Sequence, residues 1–164
     1  MNNTSRTETI LGTFTMNKKR LALLGVAALM ALGLAAQNDS TLFMQQLCAL
    51  EGISDVKPLE TSTFKEKYVL KMEQQVDWKT LSKGTLKERI IIGMKGLNKP
   101  TIIVTEGYFA NYGISPDYEE ELSRLFDANV ILCEYRYFAE SVPQPTNWDY
   151  MTVDNSLADY HHVR

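Results

Sequence analysis

Histidine and cysteine are scarce in this chain, with two residues of each kind among 164. The histidines, His161 and His162, are neighbours, whereas Cys48 and Cys133 lie far apart. No C-x-x-C pair and no mixed Cys/His cluster occurs, so nothing in the sequence supports a structural zinc site. We therefore predict no metal and no cofactor. The two cysteines leave two interpretations open: a disulfide in an exported chain, or free thiols with Cys133 acting as a small apolar residue inside a strand.

Several motifs that would indicate a chemistry directly are also missing. The sequence contains no G-x-S-x-G, no G-x-G-x-x-G and no P-loop. A complete serine triad cannot be assembled, and we interpret His161 and His162 as residues of a helix surface or helix contact rather than as a catalytic base. Lys and Arg number 17 against 20 Asp and Glu, for a net charge of −3, and no basic stripe occurs. Nucleic acid is therefore excluded as a partner.

The N-terminal residues have the pattern of a secretory signal peptide. Met16 begins the basic segment MNKKR, and an uncharged apolar run extends from Leu21 to Ala36. The run ends in small residues and is shorter than the roughly 20 residues of a membrane span. We predict that residues 1–36 are removed, with Met16 as the true start. The mature protein would be periplasmic or extracellular and would meet a membrane only during export; an uncleaved membrane anchor is the alternative.

The remaining chain predicts an N-terminal helix and polar linker over residues 37–66 and a partial α/β domain over residues 67–164. KYVLKMEQQVDW and RIIIGMKG have the patterns of antiparallel strands. The continuous apolar run TIIV predicts a central strand that is covered on both faces. A helix, the strand VILCEYRYF and a second helix follow, and this βαβα order implies a parallel sheet. Because such a sheet would continue with another strand, we expect the front part of a longer protein.

The two predicted helices carry more detailed expectations. In EEELSRLF, three apolar residues share one face at helical spacing, and Ser115 or Asp117 is the expected N-cap, with Asn129 ending the helix. The second helix is expected to begin at Thr152. Its apolar residues Val153, Leu157 and Tyr160 lie near one face, as do Leu122, Leu125 and Phe126 in the first helix.

Two segments at predicted strand ends are candidates for chemistry. Gly107 and Tyr108, in TEGY, follow the TIIV strand, where an α/β-hydrolase supplies a backbone N–H group to its oxyanion hole. A glycine that only makes the turn is the alternative. EYRYFAES follows the next strand, and Glu134 and Arg136 would share a face there. They would form a structural ion pair, or leave a carboxylate for a cationic ligand.

The segments EYRYFAESVP and NWDYMTVDNSLADYHHVR together resemble the secreted serine aminopeptidases of the PS-10 type, peptidase family S37, which include bacterial tripeptidyl aminopeptidases. The resemblance extends from about residue 101 to residue 164, with weaker support back to Tyr68. The same segments are less similar to the prolyl carboxypeptidase and dipeptidyl peptidase II family, because Tyr135 and Phe138 fit the PS-10 branch better. The matching residues are Glu134, Arg136, Tyr137, Phe138, Glu140, Ser141, Tyr150, Met151, Thr152, Leu157, Ala158 and Asp159.

The resemblance implies the N-terminal part of an α/β-hydrolase sheet, truncated before the nucleophile elbow, and an acyl-enzyme mechanism that releases short peptides from free N-termini. It places the catalytic Ser, Asp and His beyond residue 164, so the 164-residue chain is expected to be inactive alone. Peptides are the expected partners, and no oligomeric state follows. The implied supporting roles are an oxyanion side formed by Gly107 and Tyr108, and edge ordering or binding of the substrate's amino terminus by Glu134, Arg136, Tyr137, Glu140 and Ser141.

Two alternatives remain open. One is a secreted binding protein without catalysis that carries a partial hydrolase fold. The other is an α/β-hydrolase that acts on esters.

Overall fold

The structure is a computed structural model that describes residues 42–164, and the predicted signal peptide lies outside the described residues. Helix α1 covers residues 42–49. It is followed by β1 (Ile53–Pro58), β2 (Glu66–Gln75), β3 (Thr85–Met94), β4 (Thr101–Thr105), α2 (Glu121–Phe126), β5 (Asn129–Cys133) and α3 (Val153–Val163). Short 3-10 turns occupy Leu81–Lys83, Asn111–Ile114 and Trp148–Tyr150. In this part of the chain, no helix combines the length and the apolar character needed to cross a bilayer.

The five strands form one mixed sheet in the order β1-β2-β3-β5-β4. β1, β2, β3 and β5 pair antiparallel in succession, whereas β4 and β5 are parallel. The parallel pair requires a crossover connection, which contains α2. The prediction of an α/β chain is therefore confirmed at the level of a mixed sheet with helices.

The predicted polar linker contains a strand. Ile53–Pro58 pairs with β2, and its residues Ile53 and Val56 pack on the core while Asp55 and Lys57 remain exposed. A register shift interrupts the pairing within the strand, and Asp55 there has a φ of 55°. This bulge breaks the strict alternation of apolar and polar residues by which a half-buried strand is identified.

β4 was predicted as a central strand, and for the described residues this prediction is wrong. β4 lies at one end of the sheet and pairs with β5 alone. Its apolar residues Ile102, Ile103 and Val104 are half-buried. A continuous apolar run indicates cover on both faces, and residues 42–164 provide only part of that cover.

The fully buried residues of α2 and α3 are polar, although Tyr160 and Val163 of α3 pack half-buried against the apolar core. On α2, Ser123 is buried, whereas the predicted apolar face formed by Leu122, Leu125 and Phe126 is exposed. The Ser123 hydroxyl donates to the backbone carbonyl of Ala128 at 2.7 Å. On α3, Val153 and Leu157 are exposed; the buried residues are Asn155, Ser156 and Asp159. The apolar periodicity therefore identified these helices but not the faces that contact the sheet.

The predicted limits of α2 also differ from the observed ones. α2 follows Glu120, and neither Ser115 nor Asp117 caps it. Asp127, in the left-handed conformation, ends this helix instead of Asn129, which begins β5. The expected start of α3 is confirmed, since the Thr152 hydroxyl accepts a hydrogen bond from a backbone N–H of the first turn.

Two apolar clusters cover the two faces of the sheet. On one face, α1 and α3 pack over Tyr68, Leu70 and Ile90. On the other, the loop after β4 packs over Ile91 and the residues around it. Burying an aliphatic side chain of this size contributes about 1.5 to 3 kcal/mol. The clusters therefore hold the loop after β4 and α3 on opposite faces of the same sheet.

Both cysteines are free thiols, so the interpretation as a disulfide is wrong. Cys48 is exposed, whereas Cys133 is buried in the cluster beneath α1 and α3. Burial raises the pKa of the Cys133 thiol, and the nearby Glu88 carboxyl group adds to the rise. Cys133 is therefore a small apolar residue of the core, as the second interpretation proposed.

Candidate functional site

The two candidate segments meet at one edge of the sheet. The segment after β4 contains Gly107 and Tyr108, and residues 134–141, called here the edge loop, follow β5. The backbone N–H of Tyr135 donates to the carbonyl of Tyr108 at 3.1 Å, and the rings of Tyr108 and Phe138 lie 5.1 Å apart in an edge-on contact. Because β4 and β5 are parallel, both segments leave the same edge, where α/β proteins bind ligands.

Gly107 lies in open space. A Cβ atom at this position would have no neighbour within 4 Å, and the φ of Gly107 is not in the left-handed region. Neither packing nor backbone geometry therefore requires glycine here. Tyr108 is 66% exposed beside it. The backbone between these two residues is accessible to a bound molecule.

The Glu134 side chain closes the edge loop on itself. Its Oε1 atom accepts hydrogen bonds from Arg89 Nη2 and from the Ala110 N–H at 3.1 Å. Its Oε2 atom accepts from the Glu140 N–H at 3.1 Å and from the Ser141 hydroxyl at 2.9 Å. A carboxylate accepts about four hydrogen bonds, and Glu134 is fully buried. Its acceptor capacity is thus filled by the protein.

Arg89, on β3, is the cationic partner of Glu134, a pairing that was not predicted. Its side chain is 4% exposed and donates to Glu134 and, at 2.5 Å, to Asn111 Oδ1. Its backbone N–H donates to the Ser141 hydroxyl at 2.9 Å. Arg89 Nη1 lies 3.5 Å from Glu140 Oε1. β3 is consequently tied to both ends of the edge loop.

Arg136 binds a different carboxylate from the one expected. It forms a bidentate ion pair with Asp159 of α3, in which Nε lies 2.6 Å from Oδ2 and Nη2 lies 2.9 Å from Oδ1. Its remaining N–H groups donate to the carbonyls of Gln75, Val76 and Tyr150 at 2.8 to 2.9 Å. All five donors of this buried guanidinium are used. Glu134 and Arg136 do not pair because β5 ends at residue 133, so the alternation of an extended strand does not continue through them.

Tyr137 stands at a sharp turn of the edge loop. Its φ of 69° and the φ of 39° at Ala139 both lie in the left-handed region, which costs a non-glycine residue about 1 to 2 kcal/mol. The Tyr137 hydroxyl donates to the Asn147 carbonyl at 2.7 Å, and its N–H donates to the Ser141 carbonyl at 2.8 Å. Its ring contacts Trp148, with centroids 5.4 Å apart. These contacts compensate for the strained backbone.

Glu140 is the one exposed carboxylate among the predicted site residues. Its Oε2 atom lies 2.8 Å from Lys71 Nζ, and its side chain is 59% exposed. The hydrogen bond from Lys71, and then the charges of Lys71, Arg89 and Lys57, lower the pKa of Glu140. Glu140 thus lies at a surface position where the protein favours negative charge.

A second polar cluster lies between the sheet and α3. Glu88 is 1% exposed, and its Oε2 atom accepts a hydrogen bond from Gln74 Nε2 at 2.5 Å. The Gln74 Oε1 atom bonds His162 Nδ1 at 2.8 Å, and Trp78 Nε1 donates to Asp159 Oδ1 at 2.7 Å. Burial, with the nearby charge of Asp159, raises the pKa of Glu88 from 4.5 to about 8. Burial also raises the pKa of Asp159, against the opposing effect of Arg136 and Trp78.

Both histidines lie on α3, as predicted. His161 and His162 are exposed, and the ring of His162 contacts Trp78 edge-on at 5.2 Å. Within residues 42–164, no three His, Cys, Asp or Glu side chains gather into a group that could hold a metal ion. Most titratable groups of the described edge are engaged in structural pairs. The backbone at Gly107 and the aromatic surface beside it are open to a ligand.

The sequence analysis did not identify Arg89 and Glu88, and it named Asp159 as a matching residue without its role as the partner of Arg136. Arg89 and Glu88 belong to KER, a charged triplet directly before the apolar residues III of β3. Charged residues inside a strand pattern were the available signal for buried ion pairs. Their partners follow only from the antiparallel register, which brings β3 beside the end of β5. The ion pair of Arg136 with Asp159 joins the two halves of the motif on which the resemblance rests.

Comparison with known proteins identifies a family and a curated relative. The sequence profile of the family described as PS-10 peptidase S37 matches residues 38–164. A prolyl tri/tetrapeptidyl aminopeptidase of Streptomyces mobaraensis is 33% identical over 95 residues. That match covers 58% of this chain and 19% of the relative, so the chain corresponds to a minor part of that protein's length.

Proposed function

The chain belongs to the PS-10 peptidases of family S37, and from this membership we propose that it forms the N-terminal part of an exported serine aminopeptidase. The enzyme would release short peptides from free N-termini through an acyl-enzyme. The observation that carries the proposal is the family match over residues 38–164. The name of the Streptomyces relative supports products of three or four residues.

In this proposal the five described strands are the first part of an α/β-hydrolase sheet. The catalytic Ser, Asp and His lie beyond residue 164, and residues 1–36 direct the protein to the periplasm or the outside of the cell. The chain alone would be inactive, because the proposal places the nucleophile and its base beyond residue 164.

The backbone at Gly107 and Tyr108 would stabilise the oxyanion. Negative charge develops on the substrate's carbonyl oxygen when the nucleophile attacks, and preorganised N–H donors stabilise that charge in the transition state. The open space at Gly107 and the exposure of Tyr108 support this role. No side chain at residue 107 separates the backbone from an approaching substrate.

The edge loop would order this site rather than bind substrate. Four hydrogen bonds from the protein fill the acceptor capacity of Glu134, which leaves none for a substrate ammonium group. Arg136 is equally saturated, and Tyr137 and Ser141 hold the backbone of the loop. An ammonium group would reach Glu140 only by displacing Lys71. We therefore assign edge ordering to all five residues.

The test is an activity assay on the protein expressed from its complete reading frame to the natural stop codon. A tripeptidyl p-nitroanilide with a free amino group, its N-acetylated form and p-nitrophenyl butyrate serve as substrates. We expect turnover of the free-amine peptide alone, and its loss after treatment with a sulfonyl fluoride that sulfonylates active serines. Turnover of the ester without the peptide would indicate an esterase, and binding of the peptide without turnover would indicate a binding protein.

A further inference from the structure

A pocket of about 360 Å³ opens beside the edge loop, at the surface that carries β1, β2 and β3. Its lining contains the cations Lys57, Lys71 and Arg89, the carboxylates Asp55 and Glu140, and apolar residues that include Val69 and Ile114. Pockets of this size accommodate small organic ligands. The question is which ligand its charges fit.

One atom of the lining side chains lacks a partner. Arg89 Nε is buried and, among the side-chain atoms of the described residues, is the one buried nitrogen or oxygen without a hydrogen bond. An unpaired donor on a buried cation is unfavourable, and such groups are rare in folded proteins. Arg89 also lines the pocket, so a ligand there would lie beside its guanidinium group.

Glu140 shows which kind of group these cations hold. Its exposed carboxylate bridges Lys71 Nζ at 2.8 Å and Arg89 Nη1 at 3.5 Å. Lys57 adds to the positive potential at this point. Arg89 is balanced by Glu134 behind it, and Asp55 also lines the pocket. The two lysines therefore leave the site with one net positive charge when the Glu140 carboxylate leaves.

We propose that this pocket binds a small carboxylate ligand, whose carboxylate displaces that of Glu140 from Lys71 and supplies an acceptor to Arg89. The remainder of the ligand lies against Val69 and Ile114. Glu140 is an internal competitor for this site, held on an exposed loop position from which it swings into solvent. The proposal does not depend on peptidase activity.

Calorimetric binding measurements on the protein from its complete reading frame test the proposal. The probes are N-acetyl-trialanine, the same peptide as its C-terminal amide, and inorganic phosphate; neither peptide has the free amino group that an aminopeptidase requires. We expect the acid to bind and the amide to bind at least about tenfold more weakly, which is the effect of one charge-assisted hydrogen bond.

Variants separate this site from nonspecific attraction. Glu140→Gln removes the competitor and tightens binding of the acid about tenfold, whereas Lys71→Met weakens it about tenfold. Lys57→Met provides a second cation variant if Lys71→Met does not fold. Lys79→Met is the matched control, because Lys79 forms an exposed ion pair with Asp154 elsewhere.

Three results would overturn the proposal. The first is that the acid and the amide bind with equal affinity. The second is that neither peptide binds to the wild type or to Glu140→Gln. The third is that Glu140→Gln binds the acid no more tightly than the wild type does. Binding of phosphate in preference to the acid would overturn the assignment to carboxylates.

Discussion

The buried carboxyl group of Glu88 makes stability depend on pH in a direction opposite to that of an ordinary paired carboxylate. Its pKa is raised from 4.5 to about 8, chiefly by burial. The folded state therefore retains a proton that the unfolded state has released across this interval. Stability is highest below pH 4.5, as far as this group is concerned, and falls as pH rises towards 8.

The size of the effect follows from linkage. Each pH unit between the two pKa values lowers the free energy of unfolding by about 1.4 kcal/mol. Over the interval from 4.5 to about 8, the free energy of unfolding falls by about 4 to 5 kcal/mol. Glu88→Gln removes the proton exchange while its amide oxygen still accepts the hydrogen bond from Gln74. We therefore expect a small change in stability at pH 5 and a stabilisation of several kcal/mol above pH 8.

Urea unfolding between pH 5 and pH 9 measures this difference, with tryptophan fluorescence as the signal. Trp78 reports directly on the α3 contact, since its indole N–H donates to Asp159. The raised pKa of Asp159 adds its own pH dependence to the free energy of unfolding, and this contribution is the same in the wild type and in Glu88→Gln. Glu73→Gln, at an exposed position of β2, is the matched control and should keep the wild-type slope. If Glu88→Gln also keeps that slope, Glu88 is ionised in the folded protein and the reasoning fails.

Three further predictions concern the edge. Arg136→Lys loses most of the hydrogen bonds of a buried cation and should lower the free energy of unfolding by about 3 to 5 kcal/mol; a loss below 1 kcal/mol in urea unfolding would contradict the saturated geometry. Ala139→Gly should raise stability by about 0.5 to 1 kcal/mol, because glycine adopts the left-handed conformation without strain, and a lower midpoint would speak against that strain. Gly107→Ala should leave thermal unfolding unchanged, since a Cβ atom there meets nothing within 4 Å. The same change should lower kcat/KM of the complete enzyme by about tenfold or more, and full activity would contradict the oxyanion role.

The sequence predicted β2, β3, β5 and the start of α3 because their signals are local. Alternating or continuous apolar residues define the strands, and the Thr152 cap acts within one helical turn. The buried faces of α2 and α3 were not predictable in this way. Asp159 is buried because Arg136 meets it, and that partner lies on a loop whose path no local pattern describes.

The two candidate segments meet at one edge of the sheet, but the pairing of their side chains was not predicted. The predicted strand order, with the rule that parallel strands end at the same edge, places residues 107–108 and 134–141 at one edge of the sheet. The prediction that Glu134 and Arg136 share a face assumed an extended strand, whereas the chain turns at once, with Tyr137 and Ala139 at positive φ. Left-handed conformations at residues other than glycine have no reliable sequence signal, because the surrounding contacts impose them.

Arg136 also has a consequence for the way the protein folds. Its donors reach carbonyls 60 and 61 residues earlier in the chain and a carboxylate 23 residues later. A partly folded chain that buried this guanidinium before all partners arrived would carry an uncompensated charge, at a cost of several kcal/mol. The end of β2, the edge loop and α3 should therefore form one cooperative unit, whose amide hydrogens exchange with solvent in a single opening event rather than helix by helix.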